Sequence, residues 1–248
     1  MSALWQSVKI FVRLQWIDRV NTSAFLIGLS IQTAVLCLSI FDKSQNSGEA
    51  FALAVRASLL NIIGITLFAA MSSLANDIRF GTFSYLLLSR EHIFWIVFKR
   101  CLANTVVSFS SVVFPFAVAV VKFPELASVN LVLALLAIFV AVSCAGFQIA
   151  LVLNTLDHPI RGVPWMRYFY LLVGLNMLPF AWIEWSSKFL PFYWILDLHA
   201  LEGGSLFAQF AASVGLSLGW TLVAWVLLAH KTLRSVESLQ NKSKLKVA

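Results

Sequence analysis

From Val129 to Leu153 the chain runs without a single Asp, Glu, Lys or Arg, and no other feature limits its fold so strongly. A helix of that length covers about 30 Å of hydrocarbon at 1.5 Å per residue, whereas a helix on the surface of a soluble protein interrupts its apolar stripe with a polar face. The composition agrees: of 248 residues, 60% are hydrophobic and 12% charged, with a mean hydropathy of +0.87. Soluble domains carry about 25% charged residues. A water-soluble globule is therefore excluded, and the chain reads as an all-α polytopic membrane protein.

Sustained apolar runs predict six transmembrane helices, near Ala24 to Phe41, Ala57 to Ala75, Cys101 to Val121, Val129 to Leu153, Tyr168 to Ile183 and Phe210 to His230. With both termini in the cytoplasm, all but four of the 18 Lys and Arg residues fall on the inner side; Lys43, Lys122 and Lys188 lie outside and Arg56 just inside the second helix. That asymmetry follows the positive-inside rule. The whole chain, 1–248, forms one transmembrane domain: an N-terminal segment 1–23, a cytoplasmic connection 76–100, an outer connection 184–209 and a cytoplasmic tail 231–248. No Asp, Glu, Lys or Arg is expected deep within a span, which argues against a proton relay or an ion-coupled carrier.

In segment 1–23, Ser2, Gln6, Lys9 and Arg13 share one narrow helical stripe and Leu4, Trp5, Val8, Phe11, Val12, Leu14 and Trp16 cover most of the remainder. This pattern suits an amphipathic helix lying along the inner leaflet against anionic lipid, or an extension of the first span. The basic residues punctuate apolar runs instead of clustering, so the charge of +7 reports topology and not nucleic acid. Cys37, Cys101 and Cys144 fit helix packing, and the four histidines lack metal-ligand spacing, so neither a metal nor catalytic residues are expected.

The connection after the second span is no ordinary loop. Gly81 breaks the preceding helix, Thr82 caps a short one, and that helix presents Phe83, Leu86 and Leu87 between Arg79 and Arg90. Such a helix docks into a groove of a cytosolic protein or packs back on its own bundle. The outer connection is dense in aromatics, with Trp182, Trp185, Phe189, Phe192, Tyr193 and Trp194; Pro191 starts a short helix there and Gly203-Gly204 ends one, giving a re-entrant hairpin. Two readings suit those rings, an outer gate for an amphiphilic cargo and a belt at headgroup level.

Asp77 followed by Gly81-Thr82, the leucines Leu86 and Leu87, and Lys99 entering the third helix resembles the six-helix permeases of ATP-binding-cassette exporters of the second type. Leu190-Pro191-Phe192-Tyr193-Trp194, leading through Asp197 and Leu198 to Gly203-Gly204, is similar to the proline-led outer helix of that family. Asp77 stands where the family usually has glutamate, Ser89-Arg90-Glu91 where a proline usually follows the leucine run, and His199 near a frequent arginine.

The resemblance implies an ATPase-coupling segment carried by Asp77, Arg79, Gly81, Thr82, Phe83, Leu86, Leu87 and Arg90. It also implies a pathway or outer gate involving Asn61, Asn104, Pro191, Tyr193, Trp194 and His199. No Gly-x-x-x-x-Gly-Lys-Ser/Thr sequence occurs; no cofactor is expected on this chain, and the resemblance puts ATP and Mg in a separate P-loop ATPase. It further implies a second permease, identical or homologous, forming a dimer in the bacterial cytoplasmic membrane. Two other readings are a membrane-embedded enzyme acting on lipids through Asp197, His199 and Glu202, and a non-transporting scaffold.

Overall fold

The computed structural model describes residues 9–10, 12–13, 34–35, 37–58, 93–154, 188–189, 191, 193–196, 198, 201 and 203–245, and every regular element among them is a helix. Helical segments 37–43 and 47–58 precede α1 (Ile93–Lys122), a 3-10 turn (Pro124–Leu126), α2 (Val129–Asn154), the short α3 (Tyr193–Leu196) and the long α4 (Gly203–Leu245). Two described helical stretches, Val129–Leu151 and Gly203–Leu228, are long and apolar enough to cross a membrane. The first matches the uncharged run almost residue for residue. In the N-terminal segment Lys9, Ile10, Val12 and Arg13 are helical.

Caps and buried side chains carry several helices past their apolar runs. The 47–58 helix begins ten residues before the expected Ala57, because the Glu49 amide donates to Asn46 Oδ1 (2.8 Å) and the Gln45 amide donates to Glu49 Oε2 (2.8 Å). Asn46 thus caps the helix, and Glu49 reaches back to the amide one residue before the cap, a variant of the capping box. Arg56 consequently sits well inside the helix instead of at its mouth. Similarly, α1 starts at Ile93 and not Cys101, since Phe94, Ile96 and Val97 of the aromatic run are buried. Residues 93–100 therefore belong to the helix and shorten the connection expected at 76–100.

The contacts fix direction. Phe109 meets Phe139 and Phe98 meets Phe147 edge to face, with ring centroids 5.3 and 5.7 Å apart, so α1 and α2 are antiparallel around the tight turn at Pro124. By contrast α2 and α4 are parallel: Asn130 Nδ2 donates to the Leu201 carbonyl (2.9 Å) near one end, and Gln148 Nε2 donates to Thr221 Oγ1 (2.9 Å) near the other. Between those contacts Ala134, Ala137 and Ala141 of α2 and Ser213 and Ser217 of α4 are buried at the alternating three- and four-residue spacing of a helix seam. Small side chains let the backbones approach closely, which is how apolar helices associate without a hydrophobic drive.

Two apolar clusters mark the ends of the bundle. One, at the end where Lys122 lies, joins Ile40, Phe51, Phe116, Leu126, Ile195 and Leu206; the other joins Phe94, Val97, Cys101, Phe147 and Leu151. Residues 42–46 and 122–128, from two of the connections expected outside, gather at the Lys122 end, whereas Lys188 and Phe189, also expected outside, lie well along α4 beside Trp220. If the small-residue seam sets the α2–α4 distance, Ala137→Leu should overpack it and lower stability by about 1–3 kcal/mol. Val132→Ala, at an exposed position of the same helix, should change it by less than about 0.5 kcal/mol. Thermal unfolding of the detergent-solubilised chain checks both, and equal midpoints for the two variants would count against the seam.

Candidate functional site

At the Lys122 end, one ammonium ties two chain segments together. Lys122 closes α1, and its Nζ donates to the Phe41 carbonyl and to the Ser44 carbonyl (2.7 Å), both at the C-terminal edge of the 37–43 segment. A cation there satisfies carbonyls that the helix leaves open and meets the negative end of its dipole. The same ammonium lies 5.6 Å from the Phe41 ring centroid and 5.5 Å from that of Phe123, within cation–π range. Ser44 turns its own hydroxyl back to the Ile40 carbonyl. Beside this clamp runs an open groove of about 540 Å³, lined by Val35, Leu38, Ser39 and Phe41 and ending in Asp42 and Lys43.

The second component is the aromatic segment that leads into α4. Gly203 has φ of +55°, a conformation that glycine adopts without strain. It opens α4, whereas the sequence reading had Gly203-Gly204 ending a shorter helix; 203–209 thus belongs to the long helix and not to the outer connection. Ile195 and Leu198 are buried in the cluster that also holds Leu206. Trp220 Nε1 donates to the Phe189 carbonyl (2.9 Å), and Trp194 Nε1 donates to the Lys188 carbonyl (2.9 Å).

Trp220 lies about 25 Å from Gly203 along α4, and helical side chains lean toward the N-terminus, so Phe189 sits roughly 20 Å from that end. The described residues between 188 and 201 thus climb beside α4 toward its start. Two consecutive carbonyls outside regular structure are answered by two indole N–H groups. An apolar surrounding demands such partners, because an unmade bond there costs the full desolvation of the carbonyl.

Of the residues expected to form a gate, Pro191 lies in a turn and Tyr193 and Trp194 on α3, all half-buried. The Tyr193 and Trp194 rings meet edge to face at 5.7 Å. Asn104 lies within α1, its side chain outside the described residues. Asn61, Asp77, Arg79, Gly81, Thr82, Phe83, Leu86, Leu87, Arg90 and His199 likewise lie outside the described residues. Sequence reasoning did not single out Lys122 or Trp220. For Lys122 a signal existed, since it is one of few cations placed outside and ends an apolar run; Trp220 carries none, because its partner is a distant carbonyl.

No family model, no curated protein and no solved structure matches the chain.

Lys122→Met should remove both charge-assisted bonds and destabilise the solubilised protein by about 1.5–3 kcal/mol, with Lys122→Arg retaining most of the loss. A thermal midpoint in Lys122→Met equal to wild type would show that the clamp contributes nothing. Trp194→Phe and Trp220→Phe keep an aromatic ring and remove only the N–H. Each should cost about 1–3 kcal/mol and speed maleimide labelling of a cysteine placed at Phe189. Unchanged stability and labelling in both would return these rings to a purely apolar role.

Proposed function

We propose that the chain is the membrane-spanning permease subunit of an ATP-driven exporter of the ATP-binding-cassette type. It sits in the bacterial cytoplasmic membrane with six spans and both termini in the cytoplasm, and it pairs with a second permease and with separate P-loop ATPase subunits that bind ATP and Mg. The cargo is amphiphilic and leaves at the Lys122 end. What supports this reading is the segment ahead of the last helix: α3 and the indole-capped turn at 188–189 lie along the first part of α4, an arrangement compatible with the proline-led outer segment that the family resemblance implies. The groove beside Lys122, apolar along its length and charged at its end, suits a cargo with a tail and a polar head.

The N-terminal half of α4 serves as the fixed wall against which the hairpin rests, while the segment 77–90 receives the ATPase. Movement of that segment, driven by nucleotide binding in the partner, reaches the pathway through the helices it joins.

The test is co-expression with a P-loop ATPase encoded beside it, followed by reconstitution into vesicles. A stable complex should form, and amphiphilic compounds should stimulate its ATPase. Phe83→Asp should insert normally but reduce stimulated hydrolysis and transport by about tenfold or more, because a charge enters the apolar centre of the contact. Wild-type coupling in Phe83→Asp would remove the assignment of 77–90 as the docking segment.

A further inference from the structure

Arg56 is exposed on the 47–58 helix, and two contacts fix its height. Ser58 Oγ donates to the Val112 carbonyl at 3.2 Å, and the Phe51 and Phe116 rings lie 5.6 Å apart. Arg56 therefore stands level with 112–116 of α1, about 12 Å from Lys122 along that helix and about 15 Å from the Asn46 cap. The surface at this height is apolar, with Val113 and Phe114 exposed on α1. Among the described residues no hydrogen bond or ion pair engages Arg56.

On the membrane-embedded reading, an arginine whose Cα stands about 12 Å from the Lys122 end beside apolar surface is costly unless it has a counterpart, so it marks a site where one arrives. Its planar fork matches the oxygens of a phosphate or carboxylate. Helical side chains lean toward the N-terminus, here toward the Lys122 end, and the positions on that side of Arg56 are Glu49, Ala52 and Leu53 at helical spacing. Ala52 leaves room above the guanidinium. Glu49 holds the Gln45 amide and disfavours an anion at the mouth, which leaves Arg56 as the cation on this face.

We infer that Arg56 is an anion-binding residue that receives the phosphate or carboxylate head of an amphiphilic molecule, whose tail lies on the neighbouring apolar surface. The inference rests on the membrane-embedded reading above and narrows its cargo to anionic amphiphiles. A free inorganic anion fits less well, since among the described residues on this face only the guanidinium would replace its water.

The test uses the full chain in dodecyl maltoside, which carries no phosphate, titrated with dodecyl phosphate, dodecanol and inorganic phosphate by calorimetry. Dodecyl phosphate should bind saturably, and Arg56→Gln should weaken it by about tenfold or more while the weaker binding of dodecanol stays unchanged. Inorganic phosphate should bind far more weakly than dodecyl phosphate. Wild-type affinity for dodecyl phosphate in Arg56→Gln overturns the inference. An equal loss of dodecanol binding also does so, as does displacement by phosphatidylcholine mole for mole, which would make Arg56 an anchor for bulk lipid. Should Arg56→Gln fail to fold, Arg56→Lys decides: affinity several-fold weaker for dodecyl phosphate alone supports the fork, and unchanged affinity overturns it. The readout needs no ATPase. A chain that binds through Arg56 but couples to no ATPase overturns the export reading alone, and ATP-driven transport with normal binding in Arg56→Gln overturns this inference alone.

Discussion

The parallel contact between α2 and α4 governs the path of everything around it. Two parallel neighbours cannot be joined by a short turn, because the chain leaves α2 at the end opposite to the one where α4 begins. A return leg is obligatory, and its last part is the segment that climbs past Pro191 and α3 to Gly203. Ala137 and Ala141 of α2 and Ser213 and Ser217 of α4 are buried between the two ends of this contact. The Asn130 and Gln148 amides fix their register at either end. A seam of small side chains with a polar tie at each end favours one alignment over a slipped one.

Backbone outside a helix is tolerable in apolar surroundings only when its carbonyls find donors. The carbonyls of Lys188 and Phe189 find them in Trp194 and Trp220, and the carbonyls of Phe41 and Ser44 find theirs in Lys122. The donors differ in kind for a reason. Indole combines a large apolar body with a single N–H and suits a site surrounded by hydrocarbon groups. An ammonium has three donors and keeps a charge, which suits a helix terminus near the polar edge of the bundle. Aromatic residues in the segment before α4 thus include at least one, Trp194, whose N–H holds the turn in shape, a use that neither a gate nor a belt requires.

The long uncharged run was legible because burial in an apolar medium leaves its mark on every residue: α2 begins at Val129 as expected and ends one residue past Leu153. Hydropathy failed where a helix continues beyond its apolar stretch. Residues 47–56 include Glu49 and Arg56 and so look like a loop to a hydropathy reading, yet Asn46-x-x-Glu49 is a local start signal, and buried Phe51, Ala54 and Val55 carry the helix through. At Ile93 the aromatic run belonged to α1 because it packs against Phe147, a contact with a residue about fifty positions on that periodicity cannot reveal. Lys122 carried a signal as a cation ending an apolar run, but its acceptors could not be read, since they come from another helix end.

The last helix runs unbroken from Gly203 to Leu245, about 64 Å at 1.5 Å per residue and about twice the thickness of a hydrocarbon layer. Little of its apolar half is buried inside the protein, 11% against 44% for α2, and because Gln148 and Thr221 tie it to α2, it tilts together with that helix. An unbroken rod of that length is a mechanical arm with its pivot beside the Gly203 turn. A tilt of only ~5° about that end sweeps Leu245 through ~6 Å, roughly one helical pitch. Motion too small to disturb the packing around Leu206 therefore becomes a displacement of a full turn at the far tip.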